Sequence, residues 1–315
     1  MTKKMGVVMD PIAEINPKFD STSAMMLEAK NRKWQIYYMQ IQDLFLQSGQ
    51  AWANMSSIDV FENMDDWYRL DNKIVQPLSE LDVILMRKDP PIDLNYIYAT
   101  QILEIAERAG VLVVNKPQSL RDANEKIFAQ WFPELCPETL ITKNIVALKQ
   151  FVEEHKQAVL KPLNMMGGRS VFMLNNDDLN LNVIFETMTE NETTFVLIQR
   201  YLPEVRQGDH RILLIDGEPF PYVLTRSSKK GDFRANFDRG GSFIVQPISK
   251  EHRKICKHIS QTLRGKGLIF VGIDVIGRYL TEINVTSAGT ICHIESEIQE
   301  RISPILFDCI EKMLQ

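Results

Sequence analysis

The run "IDVIGRYLTEIN" holds three oxygen-bearing side chains close together. Asp274 precedes Glu282 by eight residues, with Gly277-Arg278 between them, and Asn284 follows two residues later. Strand side chains two apart share a face, so Glu282 and Asn284 point the same way. Burying an acid beside an amide is costly unless something compensates them. Carboxylate and amide oxygens are hard ligands suited to Mg²⁺, which takes a few protein oxygens and leaves the rest to water and substrate phosphates. The trio therefore points to one magnesium ion or two; the plainer alternative is a solvated hairpin end with three polar residues. A two-residue loop at Gly277-Arg278 would set Asp274 opposite Thr281 and turn Glu282 away. A three-residue loop, Gly277 to Tyr279, sets Asp274 opposite Glu282, at the Cβ spacing of about 4.5–5.5 Å typical of cross-strand pairs. The three-residue loop is the expectation.

A second group lies in "KPLNMMGGRS". Lys161 stands at a strand end before a turn with Gly167-Gly168, where backbone N–H groups can approach phosphate oxygens closely. Neither GxxxxGK[ST] nor GxGxxG is present, and a hairpin with a glycine turn is the plain alternative. Arg211 and Arg226 occupy two arms of one predicted hairpin, and arginine suits planar, bidentate anion binding. Lys126 lies in a separate element. Each cation alone is more often a surface charge; their company with a glycine turn and an acidic hairpin is what raises the reading. Cys292 and His293 adjoin, but nothing nearby makes them a reactive dyad.

The elements that would position these groups fall into two regimes. Up to about residue 120, strands at 6–10, 34–40, 81–91 and 111–117 alternate with helices at 21–33 and 95–110, which predicts a parallel sheet with helices on its faces. Ser or Thr is available as N-cap of the first helix. Ligands in such sheets lie beyond the carboxyl ends of the strands, where Asp10, Arg87 and Asn115 fall. Residues 43–76 read as insertion or loop. Beyond 121 come a helix in "ANEKIFAQWF", a helix at 142–155, strands at 158–163, 171–174 and 195–202, a hairpin at 210–226 turning at Asp216-Gly217, and a helix at 249–267. The stretch 227–242 is polar, holds Gly231, Gly240 and Gly241, and is too long for an ordinary connection, which reads as a lid.

At 315 residues with 44% apolar content the chain can build two or three substructures with a sizeable core. A net charge of −5 argues against a general nucleic-acid binder. No stretch approaches the roughly 20 apolar residues of a membrane span. The short apolar run "MGVVMDPIAE" enters an acid and a proline and reads as a first strand, not a signal peptide. Cys136, Cys256, Cys292 and Cys309 form no CxxC pair, so neither a zinc site nor a disulfide framework is indicated, and a reducing cytoplasm is the simplest home.

Taken in order, Lys126, "KPL…GG", "QRYLPEVRQGDHRILLIDGEP", Arg226 and "LIFVGIDVIG…LTEINVTS" resemble the ATP-grasp superfamily. "VMDPI", "LMRKDPP", "VNKPQSLRDANEK" and "FVGIDVIG" resemble, more closely, bacterial glutathione synthetases, over nearly the whole chain. The resemblance implies an N-terminal parallel α/β domain (1–121), then an ATP-grasp fold with nucleotide between two antiparallel sheets, divided into a central subdomain (122–202) and a C-terminal catalytic subdomain (203–315). It implies that Lys126 and Lys161 contact the nucleotide, that Gly167-Gly168 cover the phosphates, that Gln199, Arg200, Tyr201 and Leu202 form the hinge strand beside adenine, and that Asp209 holds the ribose. Asp274, Glu282 and Asn284 would bind Mg²⁺, with Mn²⁺ as a substitute. Arg211 and Arg226 would face the reacting groups, and Asn236 would help close the site. The implied reaction joins γ-glutamylcysteine to glycine through an acyl phosphate formed with ATP, in a cytoplasmic homotetramer with no membrane or nucleic-acid partner.

Three departures from the family pattern bear on that expectation. The glycine loop reads Asn164-Met165 where another glycine is usual. The lid ends "NFDRGG". After "NVTS" stands "AGTICHIE" instead of Pro-Thr and a downstream Arg. The last departure leaves open an ATP-grasp ligase with a different acceptor or peptide, or a family member that binds nucleotide or peptide without catalysis.

Overall fold

The computed structural model describes residues 2–63, 65–227 and 242–315. The expected lid at 227–242, Asn236 included, falls almost wholly outside the described residues.

Strands β1 (Lys4–Val8), β2 (Gln35–Met39), β3 (Leu44–Gln47), β4 (Gln50–Val60), β5 (Tyr68–Leu70), β6 (Ile74–Pro77), β7 (Val83–Met86) and β8 (Leu112–Val114) form one sheet, with the path β3-β4-β2-β1-β7-β8 and with β5 and β6 paired to β4. The pairs β1–β2, β1–β7 and β7–β8 are parallel, as the strand–helix alternation predicts. Residues 43–76, expected as insertion or loop, are not loop: they build the antiparallel extension β3–β6. The physical reason is β4 itself. It alternates buried Ala51, Ala53 and Met55 with half-exposed partners, a strand pattern carried by small residues rather than by a bulky apolar run. Helices α1 (Ser21–Asn31), α2 (Leu94–Arg108) and α3 (Pro117–Asp122) complete this part. The N-cap of α1 is Asp20, whose carboxylate accepts from Ser23 N at 2.8 Å, not one of the following hydroxyls. Those hydroxyls are used elsewhere: Ser21 Oγ accepts from Ile291 N and Thr22 Oγ1 from Arg87 Nε.

The next sheet has the order β11-β10-β12-β9, from β9 (Thr139–Thr142), β10 (Gln157–Pro162), β11 (Phe172–Asn175) and β12 (Val196–Arg200), all antiparallel. Helices α4 (Ile145–His155) and α5 (Leu181–Met188) cover it, and Leu148, Leu160, Leu174, Phe185 and Ile198 form its small core. The segment "ANEKIFAQWF", expected as a helix, forms turns and a short 3₁₀ stretch at Phe128–Trp131. Its polar residues are drawn into tertiary hydrogen bonds described below.

The third sheet, β15-β14-β13-β16-β17, is built from β13 (Asp209–Ile215), β14 (Glu218–Ser227), β15 (Ser242–Pro247), β16 (Phe270–Ile276) and β17 (Tyr279–Asn284). Asp216-Gly217 turns β13 into β14 as expected, with Ile215 opposite Glu218. Helix α6 (Lys250–Gly265) starts at Ser249, which accepts from His252 N, and buries His252, Ile255, Cys256, Ile259 and Leu263 along one helical face. Helices α7 (Ile291–Glu295) and α8 (Ile302–Met313) follow, and α8 packs on α1, joining this part to the first. No helix among the described residues is long and apolar enough to cross a membrane.

On the side of β13 opposite Arg211, the His210 ring lies 4.8 Å from that of His252, with Nδ1 2.9 Å from Thr225 Oγ1. Burial, then His252 and Arg226, push the His210 imidazole down from 6.5 to about 4. A depressed histidine contributes stability that is whole above its unfolded value and is lost as pH falls through the folded one. The thermal midpoint should therefore fall between pH 6.5 and about 4, and His210→Gln should flatten that part of the curve. An unchanged acid limb in the variant would remove His210 as its cause.

Candidate active site

One face of the third sheet gathers most of the chemistry. Arg211 lies opposite Asp274 across β13–β16, Asp209 opposite Arg226 across β13–β14, and Gly272 opposite Asn284 across β16–β17. Asp274 also faces Glu282, as the metal reading requires, but by a different route from the expected one. The loop has two residues, since Ile276 pairs with Tyr279, and the register then shifts between Asp274 and Val275. Thr281 is the extra residue of a β-bulge, its hydroxyl donating to Asp274 O at 3.1 Å. The bulge turns Glu282 back to the face that a two-residue loop alone would have cost it. A Cβ on Gly272 would sit 3.1 Å from Arg211 Cδ, so glycine there leaves the guanidinium room to lie across the sheet.

The charges are tightly matched. Arg211 grips Asp274 with two bonds, Nε–Oδ1 at 2.6 Å and Nη2–Oδ2 at 2.9 Å. Arg226 Nη2 reaches Asp274 Oδ1 at 2.8 Å and Asp209 Oδ2 at 2.6 Å. Burial alone would raise the Asp274 carboxyl, but the two guanidiniums outweigh it and hold it well below the usual carboxylate range. Asp209 goes the other way. Burial pushes it up to about 6 against the pull of Arg226, with Asp274 adding to the rise. Its Oδ1 is buried with no partner among the described residues, and Asp209 is one of the residues lining the cleft.

The second sheet supplies the opposite wall. Lys161 on β10 and Lys126 before the 3₁₀ stretch bring Nζ to 3.8 and 3.9 Å from Glu282 Oε1. Lys126 Nζ also donates to Met165 O at 2.8 Å. Gly167 and Gly168 both take positive φ, 68° and 65°, a conformation open to glycine, and both line the space between the sheets. Gln199, Arg200, Tyr201 and Leu202 also line the space, and the Arg200 side chain is held by Glu138 at 2.6 Å. Between the walls lies a cavity of about 810 Å³, and every site residue that the family resemblance implied among the described residues lines it.

The cavity extends to the first sheet. Asp10 and Arg87 line it, as their strand-end positions predict. Asn115 does not; its amide is spent on Phe270 N, Phe270 O and Val285 O. Arg87 is buried, donating to Thr22 Oγ1 at 3.2 Å and to Ala288 O at 2.9 Å. Glu125, Asp89 and Thr286 also line the cavity and were not singled out from sequence; His293, set aside there as part of a dyad, lines it as well. The His293 ring stacks on Phe19 at 5.1 Å, which places the departing segment 288–293 at this wall. The neighbouring Cys292 thiol is pushed up to about 12 by burial, so it is no nucleophile.

Residues 3–121 match the family model for the prokaryotic glutathione synthetase N-terminal domain, and residues 125–299 match that for the prokaryotic glutathione synthetase ATP-grasp domain. The chain belongs to the prokaryotic glutathione synthetase family. The glutathione synthetase of Escherichia coli K12 is 50% identical over 312 residues, covering 99% of each chain. That of Vibrio vulnificus YJ016 is 50% identical over 315 residues, covering 100% of this chain and 99% of its own. Among solved structures, a D-cycloserine synthetase superposes with a TM-score of 0.71 at 12% identity, over 99% of this chain and 100% of its own. The ATP-grasp ligase PsnB gives 0.64 at 18% identity, over 100% of this chain and 99% of its own. At those identities the two structures show the fold alone: an N-terminal domain followed by an ATP-grasp fold.

Glu282 has only loose lysine neighbours, and Asn284 directs its amide N at Asp274 Oδ2 at 3.3 Å, which leaves its carbonyl oxygen for another partner. Two carboxylates and an amide oxygen on one face fit a hard divalent cation.

Proposed function

We infer that the protein is an ATP-dependent ligase that makes glutathione from γ-glutamylcysteine and glycine. The observation that carries the reading is the single sheet face presenting Asp209, Arg211, Arg226, Asp274, Glu282 and Asn284 across the cavity from Lys126, Lys161 and the glycine turn. Each sheet falls within one of the parts 1–121, 122–202 and 203–315, which supports dividing the chain there.

The roles follow from chemistry. Nucleotide phosphates lie between Lys126, Lys161 and the backbone of Gly167-Gly168. Gln199 to Leu202 flank the base, and the unpaired Asp209 oxygen accepts a ribose hydroxyl. Asp274, Glu282 and Asn284 hold Mg²⁺, which when bound neutralises phosphate charge. The cysteinyl carboxylate attacks the γ-phosphorus of ATP, the bond to ADP breaks, and an acyl phosphate forms. The glycine amine then attacks the acyl carbon, phosphate leaves, and the amine gives up a proton. Arg211 and Arg226 face the charge that develops on the transferring oxygens; phosphoryl transfer needs positioning and electrostatic stabilisation more than a protein nucleophile. The four free cysteines fit a reducing cytoplasm.

A phosphate-release assay with ATP, Mg²⁺, γ-glutamylcysteine and a panel of amines tests the reading. Glycine should be preferred; a better acceptor would move the assignment to another ATP-grasp ligase, as the segment 288–293 at the cavity wall would allow. Arg87, buried at the end nearest the first sheet, is suited to a carboxylate of the dipeptide. Arg87→Met should raise KM for γ-glutamylcysteine about ten- to hundredfold, the loss of one charged hydrogen bond, and leave KM for ATP unchanged. An equal rise in both would place Arg87 outside the peptide site.

A further inference from the structure

Three consecutive residues, Asn124-Glu125-Lys126, touch both walls of the cleft. Asn124 Nδ2 donates to Leu163 O at 2.9 Å, and Lys126 Nζ donates to Met165 O at 2.8 Å. Leu163 and Met165 belong to the turn that leads from Lys161 to Gly167-Gly168. Asn124 Oδ1 also accepts from Lys126 N and Ile127 N, both at 3.1 Å, which fixes the local backbone. Glu125 reaches the other way. Its Oε1 accepts from Thr286 Oγ1 at 2.8 Å, Val285 N at 3.1 Å and Thr286 N at 3.3 Å. Its main-chain oxygen accepts from Ile283 N at 2.9 Å. Ile283 lies between Glu282 and Asn284, and Val285-Thr286 follow directly. Val285 is held from behind as well, where its carbonyl accepts from Asn115 at 2.7 Å.

Glu125 is buried, and among the described residues no cation stands within ion-pair distance of it. A buried carboxylate without a cation is tolerated only through the hydrogen bonds it accepts. All of those bonds converge on one oxygen and on one strand end, the end that carries Glu282 and Asn284. We propose that Glu125 is a positioning residue: through Oε1 as a hydrogen-bond acceptor, not through its charge, it sets the register of Glu282 and Asn284 against Lys126 and the glycine turn. The proposal rests on the site reading given above. Its consequence is steep, because a displacement of about 1 Å at reacting groups can cost about a hundredfold in rate.

Two substitutions in the full chain separate acceptor from charge. Glu125→Gln keeps the side-chain length and the accepting oxygen and removes the charge. Glu125→Asp keeps the charge and withdraws the oxygen by about one C–C bond, roughly 1.5 Å. Both are measured by kcat for phosphate release, by calorimetric affinity for a non-hydrolysable ATP analogue with Mg²⁺, and by thermal midpoint. Glu125→Gln should stay within about threefold of the parent in kcat and affinity. Glu125→Asp should lose about ten- to hundredfold in kcat and bind the analogue more weakly. Asp active with Gln impaired would assign the role to charge and overturn the proposal. Both at parental level, or both equally impaired, would overturn it too. The Gln arm is decisive by itself, since a loss of about tenfold or more there is incompatible with an acceptor role. A parent protein that makes no glutathione from its substrates would sink the functional reading alone, because the analogue affinities would still report on Glu125.

Discussion

Glu282→Ala should abolish Mg²⁺-dependent turnover, by about a thousandfold, while the thermal midpoint of the ligand-free protein stays nearly unchanged. Glu282 is the exposed member of the acidic pair. Its side chain is 22% accessible, against 8% for Asp274, and its nearest cations are lysines at 3.8 and 3.9 Å. At those distances neither lysine donates a hydrogen bond to the carboxylate, so no hydrogen bond is lost with it. Lys126 keeps its bond to Met165 O without the carboxylate. Asp274 is already neutralised by Arg211 and Arg226, so removing its neighbour relieves no strong repulsion either. What disappears is a hard oxygen ligand facing the phosphates. Activity and midpoint are measured together, with and without Mg²⁺. A large fall in the ligand-free midpoint with turnover retained would make the hairpin a structural feature and end the metal assignment.

Much of this site was legible because its residues lie in short runs. Asp274, Glu282 and Asn284 share one hairpin, and a period of two is enough to put the last two on one face. The facing of Asp274 and Glu282 was anticipated for the wrong reason. A turn length can be guessed from Gly277-Arg278, but the bulge at Thr281 depends on packing of the whole sheet, and an inserted residue flips every side chain beyond it. The parallel order of β1, β2, β7 and β8 was legible from strand–helix alternation. The antiparallel extension β3–β6 was not, because Ala51 and Ala53 carry little hydrophobic signal. Glu125 was invisible for a different reason. Its partner Thr286 is 161 residues away, and only the fold brings them together. Gly272 was a usable signal left unused: a glycine inside a buried strand marks a close approach, here by Arg211.

Arg226→Met should both stop turnover and destabilise the fold, unlike Glu282→Ala. Arg226 is buried and bridges two buried carboxylates, Asp209 at 2.6 Å and Asp274 at 2.8 Å. Asp274 would keep Arg211, but Asp209 would lose its only ion-pair partner among the described residues. Stranding a buried charge in this way costs about 3–5 kcal/mol. Loss of a cation facing the transferring phosphoryl group should lower kcat by about a thousandfold. The deficit in stability has a sign with pH. Burial already lifts Asp209 to about 6, above its unfolded value of 3.8. A raised carboxyl favours the folded state below its unfolded value, and that contribution is lost as pH rises through the folded one. Without Arg226 the folded state would hold the Asp209 proton more tightly still. The variant's midpoint should therefore fall furthest below the parent's well above neutrality and approach it as pH drops towards 6, below which both proteins hold the proton and the remaining difference is level. Arg226→Lys, which keeps the charge but cannot span both acids with one planar group, should recover more of the stability than of the rate. A midpoint difference that is constant across this range would mean that Asp209 carries no charge for Arg226 to balance, and the matched arrangement of the sheet face would have to be redrawn.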